Sequence, residues 1–254
     1  MSFLPRRLII VLLSAGLFLG LIPGGVKSQK PTPGALPSST RARTAADRVR
    51  PRLSRELAQQ GLCFGDPVFI RILKEENELE LFVGEAGKKT FKLFRTYRIA
   101  ARSGSLGPKL REGDQQAPEG FYHVPPGRMN PNSRFHLSFN LGYPNHYDRA
   151  NGRTGTHLMV HGNRVSIGCF AMTDPVMEEI YTLCHAALEK GQKFFRVHSF
   201  PFRMTGERMD RASSSDWHAF WLNLKKGYDL FEKNRFPPNV RVEKKTYVFD
   251  EDGT

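Results

Sequence analysis

Residues 158–172 read Leu158-Met159-Val160-His161-Gly162-Asn163-Arg164-Val165-Ser166-Ile167-Gly168-Cys169-Phe170-Ala171-Met172. An apolar strand delivers a His-Gly pair, and a Gly-Cys pair follows shortly before a helix. The helix is signalled by Asp174 as a cap, Pro175 in the first turn, and Val176, Ile180, Leu183 and Ala187 at helical spacing; Gly191 stops it. The thiolate is the nucleophilic form of cysteine and needs a base or positive potential to form at neutral pH. A histidine that titrates near neutrality can take that proton and return it to a leaving amine. Gly168 leaves room for substrate to approach the sulfur and lets backbone N–H groups near Cys169 face a developing oxyanion. The chemistry of such a set is acyl transfer through a thioester.

Working outward, the surroundings are mostly strand-like. Residues 67–73 are apolar and β-branched, residues 79–83 alternate with period two, and the polar stretch 74–78 fits a hairpin loop between them. Residues 91–97 and 120–124 predict two more strands, the second stopped by Pro125-Pro126. Residues 127–156 are rich in Gly, Pro and Asn, a long ordered loop with one strand over 135–139. Residues 194–197 are strand-like, residues 217–231 helical, and residues 246–249 strand-like again. The fold class is mainly β with peripheral helices.

The N-terminal quarter divides differently. Arg6-Arg7 and the apolar run 8–22 read as a secretory leader over residues 1–28, with an uncleaved anchor as the alternative. Residues 29–46, rich in Pro, Ser, Thr and Ala, predict a flexible linker. Residues 47–65 form an N-terminal helix with Val49, Leu53 and Leu57 on one side, ending near Gly61. The body of the protein then lies in the periplasm or cell envelope. The net charge is +13, and +10 once Arg6, Arg7 and Lys27 are removed with the leader. That charge favours anionic polymers. No nucleic-acid recognition motif is present, so wall and phospholipid surfaces come first as partners.

The catalytic segment resembles the active-site motif of the L,D-transpeptidase (YkuD-type) family. His161 matches the family's general base, Ser166 its Ser/Thr, Gly168 its glycine and Cys169 its nucleophile. The stretch from Gly113 to Tyr122 looks like the family's Thr-Pro-x-Gly-x-Tyr/Phe strand start. The resemblance implies a β-sandwich-like catalytic domain over residues 66–200, followed by an extension, 201–254, packed on the core. It also implies peptidoglycan stem peptides containing meso-diaminopimelate as substrate, and no metal or organic cofactor. Three departures matter: the His-to-Cys spacing is short, Ile167 replaces the histidine beside the glycine, and Ala171 stands where Arg or Asn is usual. The pattern is most similar to the YafK-like branch, to which both transpeptidation and hydrolytic release of a wall-linked lipoprotein have been assigned.

Other residues carry weaker expectations. Arg164 is a candidate for a substrate carboxylate, Tyr143 and His146 for the cleft lining, and His157 for a position behind the catalytic pair or on a substrate loop. Three cysteines leave an odd thiol in an oxidising compartment. A Cys63–Cys184 disulfide would leave Cys169 as that thiol. A zinc site from His157, His161, Cys169, Cys184 and His185 lacks the usual ligand spacing. The aromatic stripe Trp217, Phe220, Trp221 and Leu224 reads as a helix face packed on the core, with a glycan-stacking platform as the alternative. The reading from another class is a cationic wall-binding module with an inert cysteine.

Overall fold

The computed structural model describes Met1 and residues 36–250. The leader therefore lies outside the described residues, as does most of the predicted linker. In chain order the elements are α1 (Thr40–Gln59), β1 (Val68–Leu73), β2 (Glu78–Gly84), β3 (Phe91–Arg98), β4 (Ala101–Arg102), β5 (Gly120–Val124), β6 (Met129–Asn130) and β7 (Ser138–Asn140). Then follow α2 (His146–Ala150), β8 (Met159–His161), β9 (Phe170–Ala171), α3 (Asp174–Glu189), β10 (Phe195–Phe200), α4 (Gly206–Arg211), α5 (His218–Asn234), β11 (Asn239–Glu243) and β12 (Thr246–Asp250). Among the described residues, no helix is long and apolar enough to cross a membrane.

Two five-stranded sheets carry the architecture, with orders β3-β2-β1-β10-β5 and β4-β9-β8-β7-β6. In each, one neighbouring pair is parallel, β1 with β10 and β8 with β9. The sheets meet through a shared core in which Phe139 of one packs edge-on against Phe195 of the other, ring centroids 5.1 Å apart. Every residue of β1 is buried because both faces of its sheet are covered. Val68, Ile70 and Ile72 point to the inter-sheet core, as the two-residue period requires. Phe69 faces the other way, against Phe82 and Phe231 of α5. Arg71, on that same face, reaches Glu80 and Glu232 and lies over the Tyr228 ring, so α5 is both apolar-packed and ion-paired to the sheet.

Several boundaries differ from the sequence reading. Helix α1 begins at Thr40, inside the stretch read as linker: Ser39 caps it by accepting from Ala42 N, and Ala42 and Ala45 are buried with Val49, Leu53 and Leu57. Short side chains that resemble a spacer in composition are what a close helix–helix contact with α3 needs. The strand expected over 135–139 shrinks to β7, because His136 adopts a left-handed φ of +67° and turns the chain. Asp174 is the first residue of α3 and not its cap; Thr173 holds the cap position, and the Asp174 carboxylate accepts from Asn163 N at 2.7 Å.

The polar stretch 74–78 also conceals a core residue. Lys74 is fully buried, and its ammonium donates to Gly107 O at 2.7 Å, Ala117 O at 3.0 Å and Glu119 Oε1 at 2.9 Å. Glu119, equally buried, also accepts from Gly107 N at 2.7 Å and from Trp221 Nε1 of α5 at 2.9 Å. All three ammonium donors and both carboxylate oxygens are thus used. Removing one partner leaves the other as an uncompensated buried charge. Glu119→Ala is therefore expected to lower the unfolding free energy by about 3–5 kcal/mol, read as a shifted midpoint in urea at unchanged slope.

Candidate active site

His161 ends β8 and Cys169 immediately precedes β9. The two strands run parallel with Val160 opposite Phe170 and His161 opposite Ala171. One step back along this register Cys169 comes opposite Met159. Side chains two apart on a strand share a face, so the thiol and the imidazole project from the same side of the sheet as diagonal neighbours. The intervening loop, residues 162–168, is the link between them.

His161 is buried, and its Nδ1 lies 2.5 Å from Gly162 O. A carbonyl only accepts, so Nδ1 carries the proton and Nε2 is left with a lone pair. The ring of Phe135 covers the imidazole, centroids 4.5 Å apart. Burial holds the imidazole below its ordinary value of 6.5, partly offset by the Gly162 hydrogen bond. The group is thus neutral at neutral pH and able to accept a proton. Gly162 has to be glycine: a Cβ there would stand 2.5 Å from Asp174 Oδ1 and 2.8 Å from Phe135 O.

Cys169 is only 8% exposed. Its thiol points to His157 O at 3.5 Å. Burial pushes the thiol up from its ordinary value, while a hydrogen bond from the Met159 backbone and the Lys109 ammonium pull the other way. The turn before it is tightly held. Ser166 Oγ donates to Cys169 O at 2.6 Å. Gly168 has φ +85°, a conformation L side chains rarely adopt. The Gly168 N–H donates to Ser103 Oγ at 2.6 Å. That N–H is occupied here, so an oxyanion donor at this turn has to come from Cys169 N–H or from a shift of the Ser103 hydroxyl.

Ser103 and Lys109 are absent from the sequence reading. Both lie on the 103–119 loop, whose order depends on distant partners. Ser103 Oγ donates to Gln115 O at 2.6 Å, so the hydroxyl bridges that loop to the cysteine turn. Lys109 is buried and donates to Asp114 Oδ1 at 2.6 Å and Arg111 O at 2.8 Å. The Asp114 carboxyl, held by this ammonium and by backbone N–H groups, is lowered to about 2 despite burial. Gly155 leaves room for this lysine; a Cβ there would lie 2.5 Å from Lys109 Cε. The only signal in the sequence was the quoted Gly113–Tyr122 motif, which contains Asp114 but not its partner.

The substrate-side candidates scatter. Arg164 is exposed on the 162–168 loop, next to Val165 and Ile167, which are 59% and 75% exposed. His157 is exposed, and it is its backbone carbonyl that meets the thiol. Tyr143 does not line a cleft: it is buried, with its hydroxyl donating to Lys109 O at 3.0 Å. His146, the first residue of α2, borders a separate cavity that none of the cysteine-loop residues lines. Ala171, at the position of the family's usual Arg or Asn, is buried opposite His161. All three cysteines are free, Cys63 exposed and Cys184 fully buried in α3, so the Cys63–Cys184 bridge is not formed. Among the described residues, no three His, Cys, Asp or Glu side chains are grouped to hold a metal ion.

Three outcomes follow from these environments. With exposed Cys63 changed to Ser, iodoacetamide labelling of free Cys169 should rise with pH to a midpoint above the ordinary thiol value of 9.0. The acid limb of kcat/KM should fall below 6.5, because a depressed imidazole keeps its lone pair to lower pH. Ser103→Ala should slow turnover about tenfold through loss of one hydrogen bond at the cysteine turn, with Ser103→Thr restoring it.

Comparison with known proteins bears on the same segment. The sequence pattern of the YkuD L,D-transpeptidase catalytic domain matches residues 69–198. YafK of Escherichia coli strain K12, an L,D-transpeptidase candidate by name, is 46% identical over 196 residues, 77% of this chain and 78% of that one; the O157:H7 protein matches equally. Among solved structures, the helical cell shape determining protein Pgp2 of Campylobacter jejuni aligns over 75% of this chain and 80% of its own at 19% identity, with a TM-score of 0.42. The family match over half the chain, together with the extent of identity to YafK, shows that this protein belongs to the L,D-transpeptidase (YkuD) catalytic domain family.

Proposed function

We propose that the protein is an exported peptidoglycan-modifying cysteine enzyme, in which Cys169 is the nucleophile and His161 the proton carrier. The observation that carries this reading is the placement of a thiol and a neutral imidazole on one sheet face, with Nδ1 committed to Gly162 O and Nε2 free to act. His161 Nε2 takes the Cys169 proton as the sulfur attacks a carbonyl at or near diaminopimelate. The carbon–nitrogen bond then breaks, the leaving amine takes the proton from His161, and a thioester remains. An amine acceptor attacks the thioester, regenerating the thiol and forming a new amide. Water in its place forms a carboxylic acid.

Four further residues are assigned supporting roles. Ser166 fixes the Cys169 carbonyl, and Gly168 gives the turn its left-handed step. Lys109 supplies positive potential to the thiolate in a domain that lacks the usual Arg or Asn at 171. Arg164 stands exposed on the same loop and is assigned to a substrate carboxylate. The basic surface suits an anionic wall, and a wall-linked lipoprotein is a candidate partner.

The deciding experiment is digestion of purified peptidoglycan, with its bound proteins, by the wild type and by Cys169→Ala, read by mass spectrometry. New cross-links or amino-acid exchange made only by the wild type assign transfer. Released protein or shortened peptide without exchange assigns hydrolysis. Identical products from both proteins overturn the enzymatic reading in favour of a cationic wall-binding module. Arg164→Ala should raise KM with little change in kcat; an unchanged KM removes Arg164 from the site.

A further inference from the structure

Four basic side chains that the proposed reaction leaves unused gather around one cavity of about 340 Å3. His123 comes from β5, Arg128 from the short turn that follows it, and His146 and Arg149 from α2. None of the described residues lining the cavity is acidic. The hydrogen-bond partners of the two arginines are backbone carbonyls. Arg128 Nη1 donates to His123 O at 2.7 Å and more weakly to Leu141 O, and Arg149 Nη1 donates to Pro144 O. The carboxylate in α2, Asp148, turns away to Arg153 Nη1 at 3.0 Å and Tyr122 Oη at 3.2 Å.

The cluster is built. Gly142, at φ +80°, accommodates the Arg128 guanidinium against its backbone; a Cβ there would lie 1.8 Å from Arg128 Nη1. The cations are also close enough to repel. Burial and Arg149 hold Arg128 below its ordinary value, and burial, Arg128, Arg196 and His146 do the same to His123. Gathering like charges without a counter-charge is unfavourable, and a bound anion relieves it.

The rest of the lining is of another kind. Val240 and Val242 of β11 face the cavity together with Phe121 and Leu141. Tyr247 of β12 ties this wall to the basic one, because its hydroxyl accepts from Asn145 Nδ2 at 2.9 Å and Asn145 caps the helix bearing His146 and Arg149. Strands β11 and β12 lie outside residues 69–198, where the family pattern matches. The cavity is thus made where the C-terminal extension meets the domain.

We infer that this cavity binds a phosphate monoester, its phosphate between Arg128, Arg149 and the two imidazoles and its organic part against Val240 and Val242. Two guanidiniums call for more than one negative charge. A phosphate monoester carries about −1.5 to −2 at neutral pH with three acceptor oxygens, whereas a carboxylate answers one guanidinium. The ester is either a soluble phosphate or the headgroup of a lipid.

The test is titration of the full chain with glycerol 3-phosphate, following the His123 and His146 ring resonances by NMR, with acetate and chloride at matched ionic strength beside it. A saturable shift with glycerol 3-phosphate alone is expected, weakened about tenfold in Arg149→Ala. Arg211→Ala removes one exposed charge elsewhere and should leave the affinity unchanged. Co-sedimentation with phosphatidic acid vesicles, lost in Arg149→Ala but not in Arg211→Ala, assigns the lipid source; saturable binding of glycerol 3-phosphate without sedimentation assigns the soluble ester. An equal response to acetate, equal loss in both variants, or no saturable shift and no sedimentation overturns the inference.

Discussion

A fully buried ion pair between Lys74 and Glu119 joins three parts of the chain far apart in sequence. Lys74 leaves the end of β1, Glu119 enters β5, and Trp221 reaches in from α5 to take the second carboxylate oxygen. Burying two charges is tolerable only when every donor and acceptor is used and the geometry is good. Here the ammonium also collects Gly107 O and Ala117 O, so the pair closes both ends of the 103–119 loop onto the sheet. That loop carries Ser103 and Lys109, the groups that touch or bias the cysteine turn. The position of the thiol environment thus depends on a contact that involves neither Cys169 nor His161.

The resting electrostatics of the site follow from the same enclosure. Burial pushes the thiol up and the imidazole down, which favours the neutral form of each. Under the proposed mechanism the proton moves as the sulfur–carbon bond forms, when substrate has excluded the remaining water. The fixed Nδ1–H to Gly162 O bond and the Phe135 ring keep the imidazole from rotating in the meantime.

Positive charge is distributed unevenly in its consequences. Many arginines are answered by carboxylates, as in the Arg52, Arg95, Glu56 and Glu179 set between α1, β3 and α3. Those arrangements hold elements together. In the His123, Arg128, His146 and Arg149 group the two arginines meet backbone carbonyls, which satisfies some N–H donors and leaves the charge. A high net charge by itself distinguishes neither case.

The sequence by itself determined the family and the strand-rich frame. His161, Ser166, Gly168 and Cys169, the residues of the proposed site, lie within one short segment, so their local spacing reads directly from the chain. Strands β1, β2, β3 and β5 and helix α3 were legible from period-two and helical patterns for the same reason. What only the tertiary structure decided involves residues far apart in the chain. Lys74 looked like a solvated hairpin lysine, because nothing near it in sequence announces Glu119. Tyr143 and His146 looked like cleft residues because a Gly/Pro/Asn-rich loop suggests function without saying which way its side chains turn. One was drawn into the core by Lys109 O, the other to a cavity completed by β11 and β12. Local periodicity records which face is apolar; long-range partners, set by how the sheets and the extension close on each other, decide what each polar group meets.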